Sequence, residues 1–451
     1  MNIKISIEEQ KIEFEKFLSE KGDKRIFFSN TFGTGKTYFL KNFFENNTKY
    51  ECFHLFPVNY QIIGNNDIIN LIKYDILIEL INRKKGENLF SDKKEKILFF
   101  KFLTAEGAND SLQEIVSYLG VLGKPLSSLL KIDKLYQEYK KNGKVTEQEE
   151  VDSFLQDIEG KKVEEVDYLS GLIADKINLI KGKDKKSVLI LDDLDRIDPD
   201  HIFRILNIFS AHFDLEDNNK FGFDKVIIVG DKDNIEKIFY HKYGKDTNFD
   251  GYFDKFFTTA PYPFKNEFNV QQEIRPLMHR FLNAGSFQNS TPFEFLIDIL
   301  EKAYILKKYT LRSLKSVVAS DLNEEDVLSF QNGQMNNLKT MINYLMLFFK
   351  NDVKKVTSIL EAIEKHGFQS LSFEGLNIDL FIKDMAEVLY GQRVEAKIRK
   401  GLPYGIYPRN PNPIVVINKD GSLTGGKEDK IKAVYFLLRE YINKTYSDIE
   451  L

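Results

Sequence analysis

The sequence predicts an α/β fold with a parallel β-sheet, followed by a mainly helical C-terminal region. Short apolar runs rich in β-branched residues occur at 187–191 (SVLIL) and 225–229 (KVIIV), as expected of parallel strands that are buried on both faces. A helical pattern lies between these runs, and strand, helix and strand in this order build a parallel sheet. Beyond about residue 265, helical periodicity dominates.

The first strand is predicted at Arg25–Ser29 (RIFFS), after an N-terminal helix that begins near the capping-box pair Ser6 and Glu9. This strand runs into a loop that contains glycines, and a helical segment (TYFLKNFFEN) follows the loop. A phosphate-binding loop requires this order of strand, loop and helix. A second strand is predicted at Tyr50–Pro57.

A cap and a periodic apolar face predict the helix between the two later strands. Asp198 followed by Pro199 combines an N-cap residue with a proline that suits the first helical position. From Ile202 onwards, apolar residues recur at i, i+3, i+4 and i+7. Helical periods also run through 62–182, which is predicted to be a helical insertion.

The C-terminal part is predicted to be helical with one hairpin. Helices are expected near 292–307, 335–350, 352–366, 376–390 and 428–445. Apolar residues flank an Asp-Gly turn in 413–423 (PIVVINKDGSL), which favours a β-hairpin. The predicted domains are an N-terminal helix (1–24), a sheet domain (25–61 and 183–265), the helical insertion (62–182), a lid-like helical region (266–350) and a helical region with the hairpin (351–451).

Composition and charge exclude several classes of protein. The 64 basic and 68 acidic residues give a net charge of -4 and no overall bias toward nucleic acid or an anionic membrane. The single cysteine, Cys52, excludes an internal disulfide framework and fits a reducing compartment. The charged N-terminus does not resemble a signal peptide, and Lys124 and Pro125 interrupt the apolar stretch 115–130. We therefore expect a cytoplasmic protein without a membrane segment.

The loop after the first strand carries a phosphate-binding motif. Its glycines let the backbone curl so that several N–H groups point at phosphate oxygens. Lys36 is expected at the β- and γ-phosphates and Thr37 at Mg²⁺, while the following helix offers its positive N-terminal end. The residues expected to contact the nucleotide are Asn30, Thr31, Phe32, Gly33, Thr34, Gly35, Lys36, Thr37 and Tyr38.

Two residues of this loop need comment. Asn30 stands where the pattern G-x-x-x-x-G-K-[ST] has its first glycine, and Asn tolerates left-handed backbone conformations, so we expect the loop to close. Phe32 has two open roles, to pack on the nucleotide or to anchor the loop against the core. We expect it to be the core anchor.

Two carboxylates follow the buried strand 187–191 directly, in the run LDDLDRIDP, which is a Walker B signature. Asp192 is expected to hold Mg²⁺ through water, and Asp193 to orient or deprotonate the attacking water. The alternative is that Asp192, Asp193 and Asp195 are only strand-end and cap carboxylates. The order of the two motifs along the chain favours a nucleotide hydrolase. After the next strand, Asp231 is the candidate sensor of the γ-phosphate or lytic water, and a helix cap is its alternative role.

The motifs together resemble those of the KAP family of P-loop NTPases. Phe32–Thr37 is similar to the family's W/F-G-S/T-G-K-T loop, Asp192–Arg196 to its D-D-L-D-R run, and 252–264 to the segment after its sensor strand. The resemblance spans roughly residues 10–320. It implies an additional-strand P-loop fold with a helical insertion between Walker A and Walker B, and it implies ATP and Mg²⁺ as cofactors.

The resemblance also implies a basic residue in the helices after the sheet. Arg312 is the candidate to touch the γ-phosphate, with Lys315 behind it, and the alternative is that Arg312 is a solvated helix residue. Arg196 is expected to pair with Asp195 or with a neighbouring acidic residue. The insertion carries transmembrane helices in many family members, whereas here it is charged.

We therefore expect an ATPase that uses nucleotide hydrolysis to switch its helical C-terminal region. The resemblance adds anti-phage defence as an expected setting. The expected partner is another protein or a second copy of the chain. One alternative is a nucleic-acid remodeller or loader, suggested by the basic runs at 93–96, 140–144 and 181–186 and not by the net charge. Another is a nucleotide-gated scaffold with little hydrolysis, suggested by Asn30.

Overall fold

The computed structural model describes the large sheet with its surrounding helices and most of the C-terminal helical region. The described residues are 6–20, 24–59, 68–83, 168–210, 221–281, 288, 290–319, 334–366, 377–399, 404–406, 415–418, 420 and 422–446. They form two compact units, one of residues 8–264 and one of residues 265–451 with 6–7. The middle of the predicted insertion, including 115–130, lies outside the described residues.

The first unit holds the sheet. Its helices are α1 (Glu8–Ser19), α2 (Lys36–Glu45), α3 (Ile68–Arg83), α4 (Tyr168–Lys181), α5 (Pro199–Ser210), α6 (Lys232–Tyr243) and α7 (Phe249–Phe253). Its strands are β1 (Arg25–Ser29), β2 (Tyr50–Leu55), β3 (Lys186–Leu191), β4 (Lys225–Gly230) and β5 (Tyr262–Pro263). All neighbouring strands pair in parallel, in the order β2-β3-β4-β1-β5.

The order of the strands decides which motifs meet. β4 lies between β1, which leads into the glycine loop, and β3, which ends at the paired carboxylates. This insertion of a strand between the two motif strands is the additional-strand arrangement, so the predicted α/β P-loop fold is confirmed. β4 is buried along its whole length and β3 everywhere except its first residue, as both faces of a parallel sheet require.

Local signals placed the elements around the motifs accurately. β1 has the predicted bounds, and β3 and β4 each extend one residue beyond the predicted run. α5 begins at Pro199, where Asp198 Oδ1 accepts a hydrogen bond of 2.8 Å from the Asp200 amide, which is the predicted cap. The apolar face of α5 is buried, with Ile202 fully inaccessible to solvent.

An aromatic cluster holds α1 and α2 against β1. The ring of Phe14 in α1 lies 5.3 Å from Phe28 of β1, and 5.6 Å and 5.0 Å from Phe39 and Phe43 of α2. Edge-to-face pairs of this kind each contribute roughly 0.5–1.5 kcal/mol beyond their burial. The cluster therefore fixes the helix that follows the glycine loop relative to the sheet.

The second unit is helical with a small antiparallel sheet. Its helices are α8 (Glu267–Phe281), α9 (Thr291–Ile305), α10 (Leu311–Ala319), α11 (Gln334–Phe348), α12 (Val353–His366), α13 (Ile378–Arg399) and α14 (Lys427–Tyr446), and its strands are β6 (Tyr404–Ile406), β7 (Val415–Ile417) and β8 (Leu423–Thr424). β7 and β8 form the expected hairpin, and β6, which the pattern did not predict, pairs with β7. Within the described ranges, no helix combines the length and apolar character needed to cross a lipid bilayer.

Candidate functional site

The sequence motifs meet at one edge of the large sheet. Because all its strands run parallel, the segments that follow β1, β3 and β4 leave the sheet at the same edge. This topology brings the glycine loop, the paired carboxylates after β3 and Asp231 after β4 to a common place. In open α/β sheets, ligands bind at the carboxyl ends of the strands.

The glycine loop is closed around the lysine side chain. Gly33 and Gly35 have φ angles of 80° and 96°, a left-handed conformation that glycine adopts without strain. The Lys36 ammonium donates to the carbonyl oxygens of Asn30 and Thr31 at 2.7 Å and 3.1 Å. These bonds hold the ammonium inside the loop, at the first turn of α2.

Asn30 closes the loop by a different means from the expected one. Its φ angle is not positive, so the loop does not use the left-handed conformation that Asn tolerates. Instead, Asn30 Oδ1 accepts from the Thr31 amide at 2.6 Å, and Asn30 Nδ2 donates to the Phe264 carbonyl at 2.6 Å. The side chain thus ties the loop to the segment that follows β5, which a glycine cannot do.

Lys36 is the electrostatic centre of the site. Its side chain is buried, with 7% of the residue exposed, and this burial lowers its pKa. Four carboxylates oppose this effect and raise the pKa, in decreasing order of influence those of Asp195, Asp192, Asp231 and Asp193. The fold therefore brings together the predicted Lys36, Asp192, Asp193 and Asp231. It adds Asp195, which the sequence suggested only as a strand-end or cap carboxylate.

Asp192 is fully buried and held at both carboxylate oxygens. His54 Nε2 lies 2.9 Å from Oδ2, and the Asp193 amide donates to Oδ1 at 2.8 Å. The Asp192 amide in turn donates to the Leu55 carbonyl of β2 at 2.9 Å. Sequence analysis missed His54, although a histidine inside the predicted strand Tyr50–Pro57 is a signal that could have found it.

Asp193 has a left-handed backbone, with φ 56°. Its Oδ2 accepts a hydrogen bond of 2.7 Å from Arg196 Nη1. Arg196 was expected to pair with Asp195 or with a neighbouring acidic residue, and it pairs with the neighbour, Asp193. The Arg196 guanidinium also lies 5.2 Å from the centre of the Phe32 ring. Phe32 is 38% exposed, so the expectation that it anchors the loop in the core was wrong.

Asp195 and Asp231 also have defined partners. Burial raises the pKa of Asp195, while the Lys36 ammonium and a hydrogen bond from Asn234 Nδ2 lower it. Asp231 caps α6, because its side chain accepts from the Asp233 amide at 3.1 Å. The cap that was considered as an alternative role is therefore present. A role of Asp231 at the γ-phosphate stays a prediction.

The remaining predicted residues belong to the glycine loop, to α2 or to the second unit. Thr34 is buried and its hydroxyl donates to the Thr31 carbonyl at 2.9 Å, whereas Tyr38 is 51% exposed on the first turn of α2. Arg312 is an exposed residue of α10 in the second unit. Its contact with a γ-phosphate stays a prediction.

The oxygen donors at the edge suit magnesium. Mg²⁺ in proteins usually binds through one or two carboxylates together with substrate phosphates and water. The half-buried Thr37 offers a hydroxyl on the first turn of α2, and each oxygen of Asp192 keeps a lone pair beyond the hydrogen bond it accepts. Both are hard oxygen ligands, so the residues present fit the ion.

Comparison with known families agrees with this geometry. Residues 29–351, more than half of the chain, match the KAP family P-loop domain. The matched range contains the glycine loop, the carboxylates after β3 and Asp231. No curated protein matches the chain. Fold, motifs and match together establish that the chain belongs to the KAP family of P-loop NTPases.

Proposed function

We propose that the protein binds ATP with Mg²⁺ and hydrolyses it. The observation that carries the proposal is the buried Lys36 ammonium, which lies in a closed glycine loop and is acted on by the carboxylates that follow β3 and β4. This combination provides a cation for the phosphates and carboxylates for the metal and for water. Positioning and charge stabilisation of this kind account for most of the catalysis of phosphoryl transfer.

Each residue has a definite role in this proposal. The loop amides and Lys36 hold the phosphates, and Lys36 exchanges its bonds to the Asn30 and Thr31 carbonyls for phosphate oxygens. Thr37 would hold the ion directly and Asp192 through water, and the ion would neutralise charge on the phosphates. Asp193 orients the attacking water or takes its proton. Asp231 senses the γ-phosphate.

The resemblance to KAP proteins supports a wider proposal. Hydrolysis switches the helical second unit between arrangements, with Arg312 as the residue that responds to the γ-phosphate, and the partner is another protein or a second copy of the chain. Anti-phage defence is the proposed setting, and the cytoplasm the proposed location. The switch, the partner and the defence setting rest on the resemblance, and the location rests on the single cysteine, Cys52, which fits a reducing compartment. The ATPase rests on the site.

Steady-state phosphate release from ATP and GTP with Mg²⁺ tests the ATPase. We expect Lys36→Ala and Asp193→Asn each to lower turnover of ATP by about 100-fold or more, since each removes charge stabilisation or water activation. Lys41→Ala is a matched control, because Lys41 lies on the same helix with its side chain 67% exposed, in a surface pair with Glu45. Turnover that survives in both site variants would contradict the assignment.

A second candidate function is a nucleotide-gated scaffold with little hydrolysis. The bond from Arg196 to Asp193 favours it, because the carboxylate that should act on water is engaged by a guanidinium. The same assay separates the two candidates. Tight ATP binding that depends on Lys36, without phosphate release, would support the scaffold.

The nucleic-acid alternative receives less support from the described residues. In the basic run 181–186, Lys181 pairs with Asp224 at 2.8 Å and Lys185 with Glu51 at 3.1 Å, so these two charges have acidic partners within the protein. The runs at 93–96 and 140–144 lie outside the described residues. Turnover stimulated by DNA or RNA, in a manner that weakens with salt, would revive this alternative.

A further inference from the structure

His54 is placed by the sheet next to the carboxylate that is expected to hold magnesium. In the parallel pair of β2 and β3, His54 lies opposite Ile190. Asp192 is two residues beyond Ile190, and side chains two residues apart along an extended chain point to the same face. His54 and Asp192 are therefore diagonal neighbours, which long side chains can bridge.

The contact between them has the length of a hydrogen bond. His54 Nε2 lies 2.9 Å from Asp192 Oδ2. A carboxylate that holds Mg²⁺ is ionised and can only accept, so the proposal requires the tautomer with the proton on Nε2. The imidazole ring also stacks on Phe56, with a centroid distance of 4.6 Å and an angle of 21° between the planes, which restricts its rotation.

Together with the backbone, His54 determines the orientation of the Asp192 carboxylate. Oδ2 is held by the imidazole and Oδ1 by the Asp193 amide, so rotation of the carboxylate would break both bonds. Partners of this kind, one step removed from a metal, commonly set its affinity, because the ligand does not have to be reoriented when the metal binds.

We propose that His54 is a positioning residue for magnesium binding, which acts by holding Asp192 through the hydrogen bond from Nε2. The inference rests on the proposed binding of Mg²⁺ and ATP. It assigns His54 no contact with the nucleotide. It therefore predicts an effect on the magnesium dependence of nucleotide binding and none on nucleotide binding without the metal.

Two substitutions separate the hydrogen bond from the packing. His54→Phe keeps an aromatic ring against Phe56 and removes the donor. His54→Gln removes the ring but keeps an amide donor at about the position of Nε2. The measurement is equilibrium binding of a fluorescent, non-hydrolysable ATP analogue to the full-length chain, titrated with MgCl₂ and repeated in EDTA.

We expect His54→Phe to raise the Mg²⁺ concentration for half-maximal binding by about 10-fold or more, and His54→Gln to stay within about 3-fold of the parent. In EDTA, all three proteins should bind the analogue equally. Equal behaviour of His54→Phe and the parent, or equal shifts in both variants, would overturn the role of the hydrogen bond.

The outcomes also distinguish this inference from the proposed function. If the parent binds the analogue in a Mg²⁺-dependent way and His54→Phe leaves that dependence unchanged, only the role of His54 fails. If the parent does not bind the analogue with or without Mg²⁺, both proposals fail. Circular dichroism of each variant without nucleotide establishes that it is folded before the titration.

Discussion

At the scale of single residues, Asp193 combines a strained backbone with a proposed catalytic role. A left-handed conformation costs a residue other than glycine roughly 1–2 kcal/mol, although Asp and Asn tolerate it better than most. The φ angle of Asp193 is 56°, and its carboxylate accepts a hydrogen bond of 2.7 Å from Arg196. Strain of this kind concentrates at functional sites.

Two substitutions of Asp193 test the strain. Asp193→Ala and Asp193→Asn both remove the charge that pairs with Arg196, but only Asn is suited to the left-handed backbone. We expect Asp193→Ala to lower the free energy of unfolding by about 1 kcal/mol more than Asp193→Asn. Urea unfolding without nucleotide measures the difference, and equal stabilities would show that the backbone at this position is not strained.

At the scale of elements, the junction of β4 and α6 carries two functions on one side chain. Asp231 directly follows β4, which pairs with β1, and it caps α6 through the Asp233 amide. The same carboxylate raises the pKa of Lys36, so it lies near the glycine loop. A loss of activity on mutation has two possible causes, a frayed helix or a missing sensor.

Serine separates these two causes, because it caps helices about as well as Asp but has a shorter and uncharged side chain. We expect Asp231→Ala to lower the free energy of unfolding by about 1 kcal/mol, and Asp231→Ser to change it by less than about 0.5 kcal/mol. Both should reduce ATP turnover by about 10-fold or more if the carboxylate acts on the γ-phosphate or water. Full turnover in Asp231→Ser would show that Asp231 acts only as the cap of α6.

At the scale of the whole molecule, the two units have separate cores and separate buried charges. In the second unit, Asp298 of α9 is fully buried, and the Lys302 ammonium lies 2.8 Å from its Oδ2 and donates to the Tyr435 hydroxyl at 3.2 Å. Neither Asp298 oxygen accepts a well-aligned hydrogen bond from the described residues. Burial therefore outweighs the ion pair, and it raises the pKa of Asp298 to about 6 and that of Glu301 to about 7.

These raised pKa values make the stability of the second unit depend on pH. A carboxyl group whose pKa is higher in the folded state stabilises the fold below its unfolded pKa, and this contribution is lost as the pH rises through the folded value. For Asp298, we expect the loss between pH 5 and pH 8 to be about 1.5 kcal/mol. Asp298→Asn should remove it.

Hydrogen exchange of α9, corrected for intrinsic rates, measures this contribution within the unit. The protection of α9 should fall more steeply with pH in the parent than in Asp298→Asn. Asp379→Asn is a matched control on the surface of the same unit, where Asp379 pairs with Lys430 at 2.8 Å. A parallel pH dependence in the parent and Asp298→Asn would contradict the raised pKa.

The sequence by itself determined the elements whose signals are local. The β-branched runs of β3 and β4, the cap at Asp198 and the glycine loop all depend on residues within a few positions of each other. Local backbone preference and burial on both faces are enough to identify such elements. The family resemblance was also local, because it rested on short segments of the chain.

Only the tertiary structure decided how these elements meet. The position of β4 between β1 and β3 brings Asp231 and Asp195 to Lys36, and the register of β2 brings His54 to Asp192, 138 positions away. The tertiary structure also decides that Phe32 is exposed and that Asn30 is linked to Phe264. Periodicity along the chain reports which face of an element is buried. It contains no information about which strand is the neighbour or in what register, and these two features determine the site.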